Sequence, residues 1–259
     1  MVPPRPQTDS IMTTKSEDIR EYYDTFADVY DTKHGVTLQG QAYNFRRHYA
    51  PFLEAELPRS GRALELGCGT GVYTRFLSDR GLDVTAMDIS TKMIEGARRR
   101  APKAAFFAGD CEDPATAVGA EAVGDGFDVI LGVNTFSYYA HKRQALANYN
   151  KILCPNGRFV VIDMNGASPY YGLMSKMNKN EMKQWLPEIQ ESSRKVLLPW
   201  FAETGFEVKR FEHFAFVPNG LGGTAVTLLS PFDALFSALP GFGWMAMRVA
   251  YTVVKTRDV

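Results

Sequence analysis

The amino-acid sequence predicts an α/β fold: a doubly wound, mostly parallel seven-stranded sheet, with helices ahead of it and an apolar helical insert before its last strand. Three observations carry that reading. From residue 62 onward, the short apolar runs RALELG, DVTAMD, AAFFAGD, FDVILGV and GRFVVID are interleaved with the helix-like runs VYTRFLSDRG, TKMIEGARRRA and KRQALANYNKIL. Buried strands that alternate with helices belong to a parallel sheet covered on both faces. Gly67, Gly69 and Gly71 directly follow the first run, at a strand-to-helix turn where glycine permits unusual backbone angles and close approach of a ligand. Two later runs, FEVKRFEHFAFV and VAYTVVKT, supply the sixth and seventh strands.

The elements follow in order. MVPPRPQTDSIMTTKS has no apolar core segment of a signal peptide, and residues 1–14 read as a disordered lead. Ile19, Tyr22, Tyr23, Phe26 and Tyr30 recur at spacings of three and four and predict a helix. LQGQAYNFRRHYAPFLEAEL predicts a second helical run to about residue 57. Past the fifth strand, NGASPYYGLMSKMNKN reads as loop and RKVLLPWFAETG as helix. Residues 234–247, ALFSALPGFGWMAM, carry no charge, but are too short for a membrane span and are broken by Pro240, Gly241 and Gly243. A lid on an apolar pocket, a membrane-surface element, a dimer seam and a helix packed on the sheet all fit this insert.

Composition narrows the function. Lys and Arg number 29 against 29 Asp and Glu, so net charge gives no ground for a polyanionic partner such as nucleic acid. Arg98, Arg99, Arg100 and Lys103 sit where a helix ends and match its dipole. Cys68, Cys111 and Cys154 form no CxxC pair, which argues against a disulfide framework or structural zinc and suits a cytoplasmic location.

The glycine loop asks what ligand it meets. A dinucleotide fingerprint requires G-x-G-x-x-G, but here the third glycine comes one residue early and Val72 holds its place. Glu65 puts a carboxylate near the loop, unfavourable beside a pyrophosphate and favourable beside an ammonium or sulfonium. Asp88, at the end of the second strand, is placed to accept both hydroxyls of a ribose, and Asp110, after the third, to accept an adenine amino proton. Together these describe a nucleoside with a cationic, amino-acid-like tail and no phosphate.

ELGCGTG, DVTAMDIS, AGDCED, FDVILGVNTFSYY and LCPNGRFVVID, in this order and spacing, resemble the successive motifs of the class I S-adenosylmethionine-dependent methyltransferases, over roughly residues 18–165. The lead helix, YYDTFADVYD, is similar to the aromatic N-terminal segment of that family's small-molecule and quinone-type branch. The resemblance implies a Rossmann-like fold, S-adenosylmethionine as cofactor and S-adenosylhomocysteine as product. It implies one domain over residues 15–259: a helical cap at 15–57, a cofactor-binding core at 58–165, and substrate-side helices and lid at 166–206 and 218–247. By the same resemblance Glu65, Gly67, Cys68, Gly69 and Gly71 line the methionine end, Asp88 holds the ribose, and Ile89 and Met93 pack on the adenine. Asp110 and Cys111 meet the adenine amino group, Asn134 sits beside the sulfonium, and Tyr22 and Tyr30 close the site.

Substrate contacts are expected from Tyr23, Phe136, Tyr138, Tyr139, Asn165 and Tyr170, and His141 and His34 are the candidate general bases. NTFSYY replaces the polar-Pro-Pro-aromatic motif of the adenine-N6 nucleic-acid enzymes, and Asn134 replaces the acidic metal ligand of catechol-type enzymes. The resemblance therefore implies neither a nucleic-acid partner nor a metal. A similar apolar insert occurs in family members linked to lipids, isoprenoids and glycan precursors, which points to a small lipophilic acceptor (a specialised metabolite, lipid or quinone) and to membrane-surface or homodimer contact. A non-catalytic cofactor-binding partner protein and a member that catalyses cyclisation or isomerisation stand as alternatives.

Overall fold

The computed structural model describes residues 15–33, 39–177, 181–239 and 241–259. Its centre is a seven-stranded sheet of order β3-β2-β1-β4-β5-β7-β6. The strands are β1 (Arg62–Leu66), β2 (Asp83–Asp88), β3 (Ala105–Ala108), β4 (Phe127–Val133), β5 (Leu153–Met164), β6 (Phe206–Phe214) and β7 (Arg248–Lys255). The first five run parallel, and β7 lies antiparallel between β5 and β6. All seven strands read from the sequence are present.

Successive strand residues point to opposite faces, and both faces are buried. Ala63, Val129, Leu131, Val160 and Ile162 join one core with α3 (Ala50–Glu56), α4 (Val72–Asp79) and α5 (Thr91–Arg100). Leu64, Ile130 and Val161 join the other with α7 (Lys142–Ile152) and α10 (Arg194–Glu203). Each large apolar side chain so buried contributes about 1.5–3 kcal/mol, which is why near-continuous Val, Ile and Leu runs settle here.

The cap is α1 (Lys15–Lys33), then α2 (Gln39–Asn44), a π-helical turn at Phe45–Tyr49, and α3. Three helices were not read from the sequence: α6 (Pro114–Val123), α8 (Pro169–Met177) and α9 (Glu181–Glu191). The expectation of loop over residues 165–180 is thus corrected in part, because α8 packs Tyr171 against Met164, Ile189 and Met247 and gains from tertiary burial what its propensity lacks.

In the insert, α11 (Gly223–Ala238) does not lie on the sheet but packs beside α2. Its one charged residue, Asp233, is fully buried and accepts hydrogen bonds from Tyr43 Oη at 2.9 Å and the Phe216 N–H at 2.7 Å, with His48 Nε2 at 2.7 Å. Leu228, Phe232 and Leu235 point outward. Among the described residues, no helix is long and apolar enough to cross a membrane.

Candidate active site

β1 and β4 are neighbours whose chain continues to opposite sides of the sheet, and such switch points leave a crevice at the carboxyl ends of the strands. A cavity opens there, with Gly67 and Gly69 beside it.

The three glycines have positive φ, 66°, 51° and 83° at Gly67, Gly69 and Gly71, but they serve different ends. A Cβ on Gly67 would lie 2.5 Å from Thr135 Oγ1, so glycine lets the loop after β4 close on the loop after β1. A Cβ on Gly69 would meet only the Tyr30 ring, at 3.8 Å. A Cβ on Gly71 would lie 2.8 Å from Ala97 Cα, so this glycine lets α4 pack against α5, and it does not line the cavity.

Asp88 is the electrostatic centre of the glycine side. Its carboxylate accepts the Gly69 N–H at 2.8 Å and the Ser90 N–H at 2.9 Å, and burial pushes its pKa up to about 6. Ser90 caps α5 through the Met93 N–H and donates its hydroxyl to Asp24 of α1 at 2.5 Å. Asp31 adds a second latch, accepting from Thr70 Oγ1 at 2.6 Å and Arg100 Nη2 at 2.7 Å. Burial would raise the Asp31 pKa, but Arg100 and Thr70 outweigh it and hold the carboxyl below its usual range. So fastened, α1 lays Ile19, Tyr23 and Tyr30 over the cavity.

The far wall is the loop after β4. Asn134 has φ 55°, a left-handed conformation that asparagine tolerates better than most residues, and its buried Oδ1 has no hydrogen-bond partner. Ser137 donates both its N–H and its hydroxyl to buried Asp163, and Lys142 Nζ donates to the Tyr139 carbonyl at 2.8 Å. Asp110 accepts the Glu112 N–H at 2.9 Å, and Glu112 accepts the N–H groups of Ala140 at 2.8 Å and His141 at 2.6 Å. Three buried or half-buried anchors therefore fix this wall before any ligand arrives.

The structure brings Tyr23, Tyr30, Gly67, Gly69, Asp88, Ile89, Met93, Asp110, Cys111, Asn134, Tyr138 and Tyr139 to one cavity. Others stand elsewhere. Glu65 is buried behind the loop, accepts from Thr74 Oγ1 at 2.5 Å, and is pushed by burial to a pKa of about 8. Cys68 is buried behind the same turn, its N–H bonded to the Met87 carbonyl. Tyr22 stacks on Phe26 along α1, and Phe136 is core against Phe159 and Tyr139. Asn165 holds the chain before β7, donating to the Ala246 carbonyl at 2.8 Å, and Tyr170 packs edge-on to Tyr171. His141 is exposed outside the cavity at the start of α7, because Glu112 binds its backbone rather than turning its ring inward. His34 lies outside the described residues.

Ile19, Glu112, Val133 and Thr135 line the cavity without having been singled out. Glu112 and Thr135 sit inside motifs already read, and Ile19 opens the apolar stripe of α1, so a signal for them existed. Asp88, Asp110 and Glu112 are the charged residues among the described lining, and none of that lining is Lys, Arg or His. Such a wall suits a ligand that brings hydroxyl and amino donors or positive charge, and opposes a phosphate.

Comparison with known proteins agrees with this chemistry. Residues 64–159 match the family model described as a methyltransferase domain. A demethylmenaquinone methyltransferase of Renibacterium salmoninarum is 28% identical over 180 residues, 69% of this chain and 71% of that protein. A ubiquinone biosynthesis O-methyltransferase of Caulobacter sp. is 28% identical over 201 residues, 76% of this chain and 72% of that protein. The magnesium protoporphyrin IX methyltransferase of Synechocystis, solved with S-adenosylhomocysteine bound, shares the fold at a TM-score of 0.64 and 13% identity, over 94% of this chain and 100% of that one. These likenesses support a class I S-adenosylmethionine-dependent methyltransferase, an enzyme of methyl transfer with S-adenosylmethionine as its cofactor.

Proposed function

We propose that the acceptor is a small lipophilic molecule of the quinone-precursor or lipid type, and that the cavity's parts divide as follows. Gly67 and Gly69 receive the methionine end of the cofactor, with Glu65 as the carboxylate behind them. Asp88 accepts from the ribose hydroxyls, Asp110 accepts from the adenine amino group, and Ile89 and Met93 flank the ring. The unpartnered Oδ1 of Asn134 turns its partial charge toward the cationic end.

When bound, the cofactor supplies a methyl group on a cationic sulfonium, open to in-line attack. The chain's own part is to align and to dry. Tyr23 and Tyr30 of α1 cover the cavity, and burial holds both phenols protonated, Tyr30 at a pKa of about 12. Holding two reactants in line and excluding water accounts for several orders of magnitude without a named base.

One observation carries the lipophilic acceptor. Tyr138, on the cavity wall, packs edge-on at 5.2 Å to Trp185, in an apolar cluster with Met164, Ile189 and Met247 beyond the reactive end. The relatives named for quinone substrates support the same reading. We further read the outward face of α11, with Leu228, Phe232 and Leu235 at 67%, 55% and 52% exposure and Trp244 following at 55%, as the contact with a lipid surface. The helix turns its single charge inward, as a surface-lying element does.

Calorimetric titration with S-adenosylmethionine, S-adenosylhomocysteine and NAD tests the cofactor division. Micromolar binding of the first two and none of NAD is expected, and NAD binding alone would overturn it. Turnover to S-adenosylhomocysteine with hydroxylated quinone precursors, against water-soluble phenols and amines, then tests the acceptor class.

A further inference from the structure

Resting on that reading, we propose that Arg248 anchors an oxyanion of the acceptor, so that the substrate is a lipophilic acid or acidic enol rather than a neutral lipid. β5 ends at Met164 and β7 begins at Arg248, paired in antiparallel register, so Arg248 lies on the same sheet edge as the cofactor cavity. It is two strands from β4, roughly 10 Å at the usual strand spacing, a span suited to an acceptor that reaches from anchor to methyl group.

The surroundings of this guanidinium are unfinished. Arg248 Nε donates to Tyr49 Oη at 3.1 Å, and Nη1 donates to Tyr171 Oη and to the Met247 carbonyl. Among the described residues Nη2 has no hydrogen-bond partner, and the groups that Arg248 meets are two hydroxyls and a carbonyl rather than a carboxylate. Asp163 acts on it from farther off, but that carboxylate is already committed to Ser137 and to the Met164 N–H. An arginine keeps its charge at any physiological pH, and a charge in a low-dielectric setting is costly unless paired.

A second orphan points to the same space. The Tyr73 hydroxyl of α4 is buried without a hydrogen-bond partner, and Tyr49, Tyr30, Glu65 and Arg248 all act on it electrostatically. Tyr138, on the cavity wall, also feels the Arg248 charge. A guanidinium with its Nη2 left open and an unpaired hydroxyl, flanked by the tyrosine rings of three helical segments, suit an oxyanion on an apolar skeleton.

The test uses the full chain saturated with S-adenosylhomocysteine and two matched pairs of probes, octanoate against octanol and naphthoate against naphthalenemethanol. At least one acid should bind about 10- to 100-fold more tightly than its alcohol. Arg248→Gln should abolish that preference and Arg248→Lys should keep part of it, while S-adenosylhomocysteine affinity stays within about threefold of wild type. Equal binding of acid and alcohol, binding of neither, or a preference that survives Arg248→Gln overturns the anchor and leaves the cofactor site standing. Failure of S-adenosylhomocysteine to bind the wild-type chain overturns the cofactor reading instead, and the anchor with it. The pairwise comparison on the unaltered chain decides the question even where a variant misfolds.

Discussion

The two halves of the sheet solve different problems. On the β3-β2-β1-β4 side, the cavity is lined by residues at the tips of neighbouring parallel strands, and each tip is held by its neighbours: Asp88 by Gly69 and Ser90, Asp110 by Glu112, Asn134 by the Ile162 carbonyl. On the β5-β7-β6 side, polar groups come from remote segments and stay partly unpaired. Arg248 meets Tyr49 across 199 residues and Tyr171 across 77, and its Nη2 meets no partner among the described residues. A half whose backbone is preformed, with the Asn134 Oδ1 left open, suits a cofactor that never changes. On the proposal above, the other half is where an acceptor completes the structure.

The sharpest way to break this contrast is within the glycine loop. Gly67→Ala should reduce S-adenosylhomocysteine affinity by at least about 100-fold, because a Cβ at positive φ collides with Thr135 and parts the two loops. Gly71→Ala, equally strained but wedged against Ala97, should instead lower stability by about 2–4 kcal/mol and leave the affinity of the folded chain nearly unchanged. Calorimetry beside thermal unfolding separates the two, and equal loss of affinity would erase the distinction.

Next in size is the pH response of Glu65. Its folded pKa of about 8 lies above the ordinary 4.5, so the folded chain holds a proton that the unfolded chain has released. Stability contributed by this group is therefore present below pH 4.5 and lost as pH rises toward 8. Glu65→Gln should flatten the fall in stability between pH 5 and 8 by about 2–4 kcal/mol, measured by denaturant unfolding at each pH. S-adenosylmethionine, bringing positive charge, should release a proton on binding at pH 7, visible as buffer-dependent calorimetric enthalpy. An enthalpy independent of buffer would place Glu65 out of reach of the cation.

Asp88→Ala should weaken cofactor binding by about 1–3 kcal/mol, through lost charged hydrogen bonds and a loosened Gly69. Unchanged affinity would sink the ribose assignment. The smallest effect on folding belongs to the other half: Leu228→Ser with Phe232→Ser should shift stability by no more than about 0.5 kcal/mol per site, since both side chains face outward. The same pair should abolish co-sedimentation with anionic lipid vesicles. Wild-type chain that ignores vesicles and forms a dimer by light scattering would assign the α11 face to a second copy instead.

The cofactor half was legible because its information is local. A parallel strand announces itself by an apolar run, its turn by glycine, and its cavity-facing tip by the acid or amide at or just past its carboxyl end, so Asp88, Asp110 and Asn134 could be placed on one edge before any contact was known. The same locality misled at Gly71, where position in a motif does not tell whether a missing Cβ makes room for a ligand or for Ala97. It misled at Phe136 and Asn165, whose side chains turn into the core and toward the chain before β7. It also hid α6, α8 and α9, short helices whose formation depends on what they pack against.

What the sequence by itself determined is the alternation of strand and helix, the sheet that follows from it, and the acids and glycines that stand at its strand ends. Those are set by residues within a few positions of one another, where side-chain period and backbone sterics leave little choice. Only the tertiary structure decided that α1 is latched as a cover, that α11 stands off the sheet with its apolar face outward, and that Arg248 converges with Tyr49 and Tyr171. Those contacts join segments tens to hundreds of residues apart, and which of them form depends on how the whole core packs rather than on any local pattern.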